Sequence, residues 1–219
     1  VESALTVTDW RGVFTLLTAL TVLVAAVIFF IVPERRNPNK EEPFIDQMRE
    51  IRTILTSLHF WRIAPWATLS QGTFLAVHGL WAGPWLRDVA GYDRSTVAGT
   101  LLLLAVAMVL GFVTLGTAAE RLSRRGISTL SVGAMGMGFF MAVMVLIVSG
   151  NKSGVTLMWM LFGFFGTSGI LPYAALSQSF PLRLSGRVNT ALNLLVFLAA
   201  FAAQWGIGAI IGIWPTTGS

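Results

Sequence analysis

The chain has 219 residues, of which 55% are hydrophobic and only 11% are charged. Soluble domains carry about a quarter charged residues, so this composition excludes an ordinary soluble protein. The net charge of +5 does not indicate a nucleic-acid partner, because the arginines lie in short connections between apolar runs. The chain contains no cysteine, which excludes disulfides, thiolate catalysis and Cys-ligated zinc.

Uncharged windows fill most of the sequence, and each is long enough for a helix of about 20 residues. They predict an all-α, polytopic helical membrane protein. The alternating polarity of a transmembrane strand is missing from runs such as residues 100–116. The six predicted spans cover residues 12–32, 63–83, 97–119, 127–149, 155–180 and 188–212.

The connection over residues 33–62 is the one long connection between these spans. It opens with a charged, proline-rich linker, which we expect to be extended. Apolar residues then recur at spacings of four and three, which places them on one face of a helix. They are Phe44, Met48, Ile51, Leu55 and Leu58. We therefore expect an amphipathic helix in the cytoplasmic interface, as a tether that covers the bundle's inner surface.

Lysine and arginine alternate between rich and poor connections along the chain. The connections after the first and third spans are the richest, and the one after the fifth carries Arg183 and Arg187 without an acid. After the second span, Arg87 and Arg94 are balanced by two aspartates, and after the fourth there is only Lys152. Because basic loops stay on the cytoplasmic side, both chain ends are expected on the non-cytoplasmic side. We expect an integral protein of a bacterial cytoplasmic (inner) membrane.

Polar residues within the spans predict a substrate cavity, since lipid-facing polar side chains are penalised. In the second span, residues at spacings of 3, 4, 3 and 4 share one helical face: Gln71, Phe74, His78, Trp81 and Trp85. The complete predicted set is Gln71, Phe74, His78, Trp81, Tyr173, Gln178, Asn189, Asn193 and Gln204. Two alternatives remain: Asn and Gln also hydrogen-bond between helices, and Trp belongs to interfacial belts. His78 suits a proton carrier or a structural or gating role.

The charged stretch "GTAAERLSRR" (116–125) resembles the cytoplasmic loop signature of the major facilitator superfamily. The matching positions are Gly116, Glu120, Arg121, Arg124 and Arg125. Glu120 stands where the family has Asp, and Ser123 where it has a second Gly. "DWRGVF" (9–14) and the long 33–62 connection are similar to the family's sixth-helix entry and central loop.

The resemblance implies the sixth to eleventh helices of a twelve-helix transporter. Residues 1–32 are then the last helix of the N-terminal half, 33–62 the central linker, and 63–219 an incomplete C-terminal bundle. It further implies a secondary active transporter that moves a small solute by alternating access, with a coupling proton or ion. The implied partners are that solute, membrane lipid and a missing N-terminal half, without nucleic acid, cofactor or metal.

The loop has a physical interpretation as a conformational latch. Gly116 would allow close helix packing, and Glu120 could cap a neighbouring helix. The arginines could pair with Glu120, helix-end carbonyls or anionic lipid. The alternative is that these charges only set topology.

Two other functions compete with a secondary transporter. A membrane subunit of an ATP-driven transporter or another complex would need cytoplasmic coupling helices, which the short inner loops do not supply. An intramembrane enzyme would need clustered ligands or catalytic groups, whereas the two histidines, His59 and His78, lie far apart in sequence. We therefore expect no enzymatic activity.

Overall fold

The structure is a computed structural model that describes residues 10–32, 43–150 and 153–213. Within these ranges the secondary structure is helical and contains no strand, which confirms the all-α prediction. The helices are α1 (Trp10–Ile31), α2 (Phe44–Leu55), α3 (Leu58–Ala76), α4 (Ala82–Asp88), α5 (Arg94–Ser123), α6 (Thr129–Val148), α7 (Val155–Gly166), α8 (Leu171–Gln178) and α9 (Leu182–Ile213). The chain divides into two units, Val1–Phe44 and Ile45–Ser219.

The first unit contains α1, which is apolar on all sides. Its threonines, Thr15, Thr18 and Thr21, each donate a hydroxyl hydrogen bond to the backbone carbonyl four residues earlier. This internal bonding satisfies hydroxyl groups that would be costly in hydrocarbon. The motif residues that lie before Trp10, at the entry to this helix, are outside the described residues.

Five helices of the described chain are long and apolar enough to cross a membrane. They are α1, α5, α6, the combined α7–α8 and α9, and they coincide with five of the six predicted spans. The other predicted span, 63–83, is also helical and covers most of α3, a π-helical turn and the start of α4. It is not among the five because Gln71, His78 and Pro65 make this segment more polar than the others.

Helix α2 forms at the predicted place, and it contacts the bundle through a different face from the apolar one. Ile54 is fully buried and packs in a cluster with Phe60 and Val188. The apolar stripe is exposed; it comprises Phe44, Met48, Ile51, Leu55 and Leu58. The exposed stripe is compatible with a helix at a membrane interface.

A π-helical turn separates α3 from α4. It spans Val77–Trp81, and the N–H of Ala82 donates to the carbonyl of Val77, five residues earlier. A π turn adds one residue to the helical repeat, so the residues after it are rotated relative to those before it. After the turn, the Trp85 ring packs on Trp159 at a centroid distance of 5.5 Å, in the apolar cluster that also contains Phe74.

The start of α5 is fixed by Asp93. Its carboxylate accepts hydrogen bonds from the hydroxyls of Ser95 and Thr96 and from the Ser95 N–H. These bonds, led by the Ser95 hydroxyl, lower the pKa of Asp93 to about 2. The carboxylate therefore stays charged at neutral pH and complements the helix dipole.

The segment from α7 to α8 lies at the centre of the second unit. A short 3₁₀ turn, Thr167–Ile170, separates the two helices and is largely buried. Glycines allow the neighbouring helices to approach it closely. A Cβ at Gly111 would lie 2.5 Å from the Phe164 carbonyl oxygen, and one at Gly163 would lie 2.8 Å from the Leu104 carbonyl oxygen.

Two glycines of α6 provide a matched test of this close packing. A Cβ at Gly136 would lie 2.5 Å from the Ser168 Cβ, whereas one at Gly138 would meet no atom within 4 Å. We expect Gly136→Ala to lower the free energy of unfolding by about 1–2 kcal/mol through overpacking. Gly138→Ala should be neutral or raise it slightly, since alanine is the better helix former. Thermal unfolding in mild detergent measures both, and equal midpoints would contradict the tight contact.

Candidate functional site: a polar cavity between helices

A cavity of about 610 Å³ lies among the C-terminal ends of α5 and α8 and the N-terminal parts of α6 and α9. Predicted cavity residues on two of these helices line it: Tyr173 and Gln178 on α8, and Asn189 on α9. Ser177 and Thr129 add hydroxyl groups. Apolar side chains such as Ile170 and Leu171 line it as well. The wall therefore combines amides and hydroxyls with apolar surface, as small-molecule sites commonly do.

A hydrogen bond joins two of the predicted residues across α8 and α9. The Tyr173 hydroxyl donates to Asn193 Oδ1 at 2.9 Å. Asn193 lies one helical turn beyond Asn189, so the two amides are neighbours along one side of α9. This bond fixes the orientation of the Tyr173 ring beside the cavity.

The predicted latch lies partly on the same cavity. Gly116, Glu120 and Arg124 are among its lining residues. Glu120 Oε1 and the Arg124 guanidinium form an ion pair at 2.6 Å, one helical turn apart. Both groups are exposed, so the pair contributes little to stability by itself.

Two expectations about this latch differ from the structure. Glu120 does not cap α6; Ser128 does, with its hydroxyl oxygen accepting the Ser131 N–H at 3.1 Å. The acid pairs instead with Arg124, whose position on its own helix is within reach. A Cβ at Gly116 would meet no atom within 4 Å, so the described residues show no close packing there.

The remaining two latch arginines lie elsewhere. Arg121 and Arg125 line a separate groove of about 500 Å³, at the C-terminal end of α5 and the turn that follows it. The five charged-loop residues therefore divide between two concave surfaces. Gly116, Glu120 and Arg124 border the polar cavity, and Arg121 and Arg125 border the groove.

The other predicted cavity residues form a second group, packed between α3, α7–α8 and α9. Phe74 is a core residue, 1% exposed, with its ring against Phe162. The oxygen of Gln71 lies against Gly169, and a Cβ there would clash with it. The structure therefore places Phe74 in the packed core rather than on an open wall, because the glycine at 166 admits its ring.

His78, Trp81 and Gln204 complete this second group. The His78 ring stacks on Phe74 with a centroid distance of 5.4 Å. A Cβ at Gly79 would lie 3.8 Å from Gln204 Nε2, and one at Gly208 would lie 3.5 Å from the Trp81 ring. The three side chains thus lie near the contact of the π turn with α9, away from the residues that line the cavity.

Several of the predicted side chains keep buried polar atoms without a hydrogen-bond partner. They are Gln71 Oε1, His78 Nδ1, Trp81 Nε1 and Asn189 Oδ1. Such atoms are costly in a membrane-embedded interior, and most buried polar groups in proteins are paired. Among the described residues, Thr68 Oγ1 and Trp159 Nε1 also lack a hydrogen-bond partner, so this feature is shared by residues outside the predicted set.

Sequence reasoning missed one polar cluster. Glu50 of α2 pairs with Arg183 at 2.6 Å and with Arg187, both at the start of α9. The spacing of the two arginines, one helical turn apart, is a signal for an anion partner. It does not identify Glu50, which lies 133 residues earlier than Arg183.

The five helices that are long and apolar enough to cross a membrane indicate an integral membrane protein. The chain belongs to the Major Facilitator Superfamily, whose sequence profile matches residues 2–204. This match confirms the resemblance seen in the charged loop. Members of this family transport small molecules and are not generally enzymes. No curated protein and no solved structure matches the chain.

Proposed function

We propose that the chain acts in secondary active transport, moving a small polar solute across the membrane by alternating access. Family membership supports the transport class. The observation that carries the site is the 610 Å³ cavity, in which Tyr173, Gln178 and Asn189 from two helices meet. These groups donate and accept hydrogen bonds without a net charge, which favours a neutral or zwitterionic solute.

The Glu120–Arg124 pair has a gating role in this proposal. It borders the same cavity as the amides, so a change in the cavity's shape alters its surroundings. An exposed pair is worth less than about 1 kcal/mol, which allows it to break and re-form at little cost. The pair therefore biases one arrangement of the helix ends without locking it.

The second group of predicted residues, packed between α3, α7–α8 and α9, contacts the solute in the other conformation of the transport cycle. Gln71, His78 and Gln204 are packed between helices in this arrangement, and several of their polar atoms lack partners. A rocking motion that separates α3 from α8 and α9 would expose them to the solute path. Proton coupling through His78 is one role that this exposure would permit.

Uptake into proteoliposomes tests the proposal. A solute is first selected from a panel of neutral and zwitterionic compounds by its effect on thermal unfolding. Uptake is then driven by a proton or sodium gradient in vesicles that contain no nucleotide. Gradient-driven uptake is the expected result, whereas uptake that requires added ATP would contradict a secondary transporter.

Asn193→Ala and Tyr173→Phe are expected to lower the uptake rate about tenfold each. Each removes one partner of the 2.9 Å hydrogen bond beside the cavity, and about 1.4 kcal/mol corresponds to a factor of ten. Because both act on the same bond, the double variant should be little worse than either single variant.

Thr190→Ala is the matched control on the same helix, because its hydroxyl donates to the carbonyl of Gly186. Its uptake should equal that of the unmodified chain. Unchanged uptake in both Asn193→Ala and Tyr173→Phe would remove this side of the cavity from the proposal.

A further inference from the structure

The groove that contains Arg121 and Arg125 is separate from the transport cavity. It is formed along one side of α5, with Thr114, Thr117 and Leu122 as further lining residues. Its volume is about 500 Å³. Arg121 lies in the last turn of α5, and Arg125 lies in the turn that follows the helix. Both border the same groove, so their guanidinium groups can converge on one ligand.

The charge in this groove is not compensated by the loop's own acid. Glu120 is paired with Arg124 at 2.6 Å, on the side of the helix that borders the cavity. Arg121 and Arg125 are exposed. Two guanidinium groups together present planar, bidentate donors that match the oxygens of a phosphate.

The hydroxyls in the groove leave the arginines as its main donors. The Thr114 hydroxyl donates to the Leu110 carbonyl at 2.6 Å, and the Thr117 hydroxyl donates to the Val113 carbonyl at 2.8 Å. Their methyl groups then form part of the surface beside the guanidinium groups. The groove is therefore basic at one end and becomes progressively more apolar away from the loop.

An exposed apolar track continues from the groove along the same face of α5. It consists of Leu110, Val106 and Leu103, which precede Thr114 at helical spacings of four, four and three. All three are exposed. The distance from Leu103 to Arg121 along the helix axis is about 27 Å at 1.5 Å per residue, which matches the length of an acyl chain with its headgroup.

We propose that this groove binds the phosphate of an anionic phospholipid, with one acyl chain lying along Leu110, Val106 and Leu103. Basic pockets at the cytoplasmic ends of membrane helices bind such headgroups. A free phosphate ion would use the arginines alone, whereas a lipid also covers the apolar track. The site is independent of the solute cavity, and the inference does not rest on the proposed transport cycle.

Native mass spectrometry of the full chain in detergent tests the proposal. The probes are phosphatidylglycerol and phosphatidylcholine with the same acyl chains, and inorganic phosphate as competitor. The unmodified chain should bind phosphatidylglycerol at least tenfold more tightly than phosphatidylcholine. Arg121→Gln/Arg125→Gln should lose this preference, and Arg121→Lys/Arg125→Lys should keep part of it because the charges remain.

Arg124→Gln is the matched control, since it removes one positive charge from the same loop outside the groove. It should retain the preference for phosphatidylglycerol. Leu110→Gln should weaken binding of the lipid without altering binding of inorganic phosphate. If the double glutamine variant does not fold, the preference for phosphatidylglycerol is compared between Arg125→Gln and the double lysine variant instead.

Three results would overturn the lipid site. The first is equal affinity for the two lipids, and the second is equal loss in Arg124→Gln and in the groove variants. The third is displacement of phosphatidylglycerol by inorganic phosphate at low millimolar concentration together with no effect of Leu110→Gln. The third result would identify a free-anion site instead.

Discussion

Replacing Phe74 by alanine is expected to lower the free energy of unfolding by about 3 kcal/mol. The side chain is 1% exposed. Its ring contacts Phe162 and Phe140 at centroid distances of 5.4 and 6.1 Å and stacks on His78. Truncation would leave an unfilled volume at the junction of α3, α6 and α7, with lost van der Waals contacts on every side.

The membrane setting changes the origin of this cost. Lipid tails are as apolar as the protein core, so burial from water contributes little and packing supplies most of the stabilisation. The expected loss is therefore mainly the cavity term. Unfolding in a mild detergent, by temperature or by titration with a denaturing detergent, measures it.

Phe201→Ala is the control for this prediction. Phe201 is 69% exposed, so its truncation should change the free energy of unfolding by less than about 0.5 kcal/mol. If Phe74 formed an open cavity wall, Phe74→Ala would resemble the control in stability and would alter solute uptake. That pattern would contradict its assignment to the core.

The helices were predictable because hydrocarbon imposes a simple rule on the sequence. A spanning helix excludes charge over about 20 residues, and the windows of this chain show that exclusion plainly. The amphipathic helix α2 was predictable for a related reason, since its apolar residues repeat with helical spacing. The face of α2 that packs against the bundle was not predictable, because Ile54, which is buried there, lies outside that repeat.

The π turn after α3 and the 3₁₀ turn between α7 and α8 had no comparable signal in the sequence. Equal spacing of Gln71, Phe74, His78 and Trp81 indicates one face only if the backbone is α-helical throughout. The π turn at Val77–Trp81 interrupts the α-helical repeat, and no residue type specifies it. Gln71 and Phe74 precede this turn, so the turn does not account for their separation from the cavity on α8. They pack against Gly169 and Phe162 instead, and the spacing within one helix does not reveal such partners.

Tyr173, Gln178 and Asn189 line one cavity, and their contact with a solute stays a prediction. They lie on either side of the short connection between α8 and α9, so chain continuity keeps them close. Glu50 illustrates the opposite case. Its partners are separated from it by most of the chain, and only the packed structure shows that they meet.

Glu50→Gln is expected to release α2 from the bundle. The Glu50 side chain is 12% exposed and is paired with Arg183 at 2.6 Å and with Arg187. Removing one member of a buried ion pair typically costs 3–5 kcal/mol. Because Arg183 is largely exposed and can be solvated, we expect a smaller loss of about 2 kcal/mol in the docking free energy of α2.

Hydrogen exchange of residues 44–55 measures this release. A helix of 12 residues is only marginally stable in isolation, so undocking should unfold it and expose its amides. A loss of about 2 kcal/mol corresponds to roughly 30-fold faster exchange. Amides of α7, in the core, should exchange at an unchanged rate, which separates local release from global destabilisation.

Asp46→Asn is the matched control, because Asp46 pairs with Arg49 of its own helix at 3.2 Å and is exposed. It removes one negative charge from α2 without touching α9, and the hydrogen-exchange rate of α2 should change less than twofold.

Ile54→Ala tests the apolar part of the docking contact. If Glu50→Gln leaves exchange unchanged while Ile54→Ala accelerates it, packing holds α2 and the ion pair does not. If both accelerate it and the double variant is worse by less than their sum, charge and packing act through the same docked state.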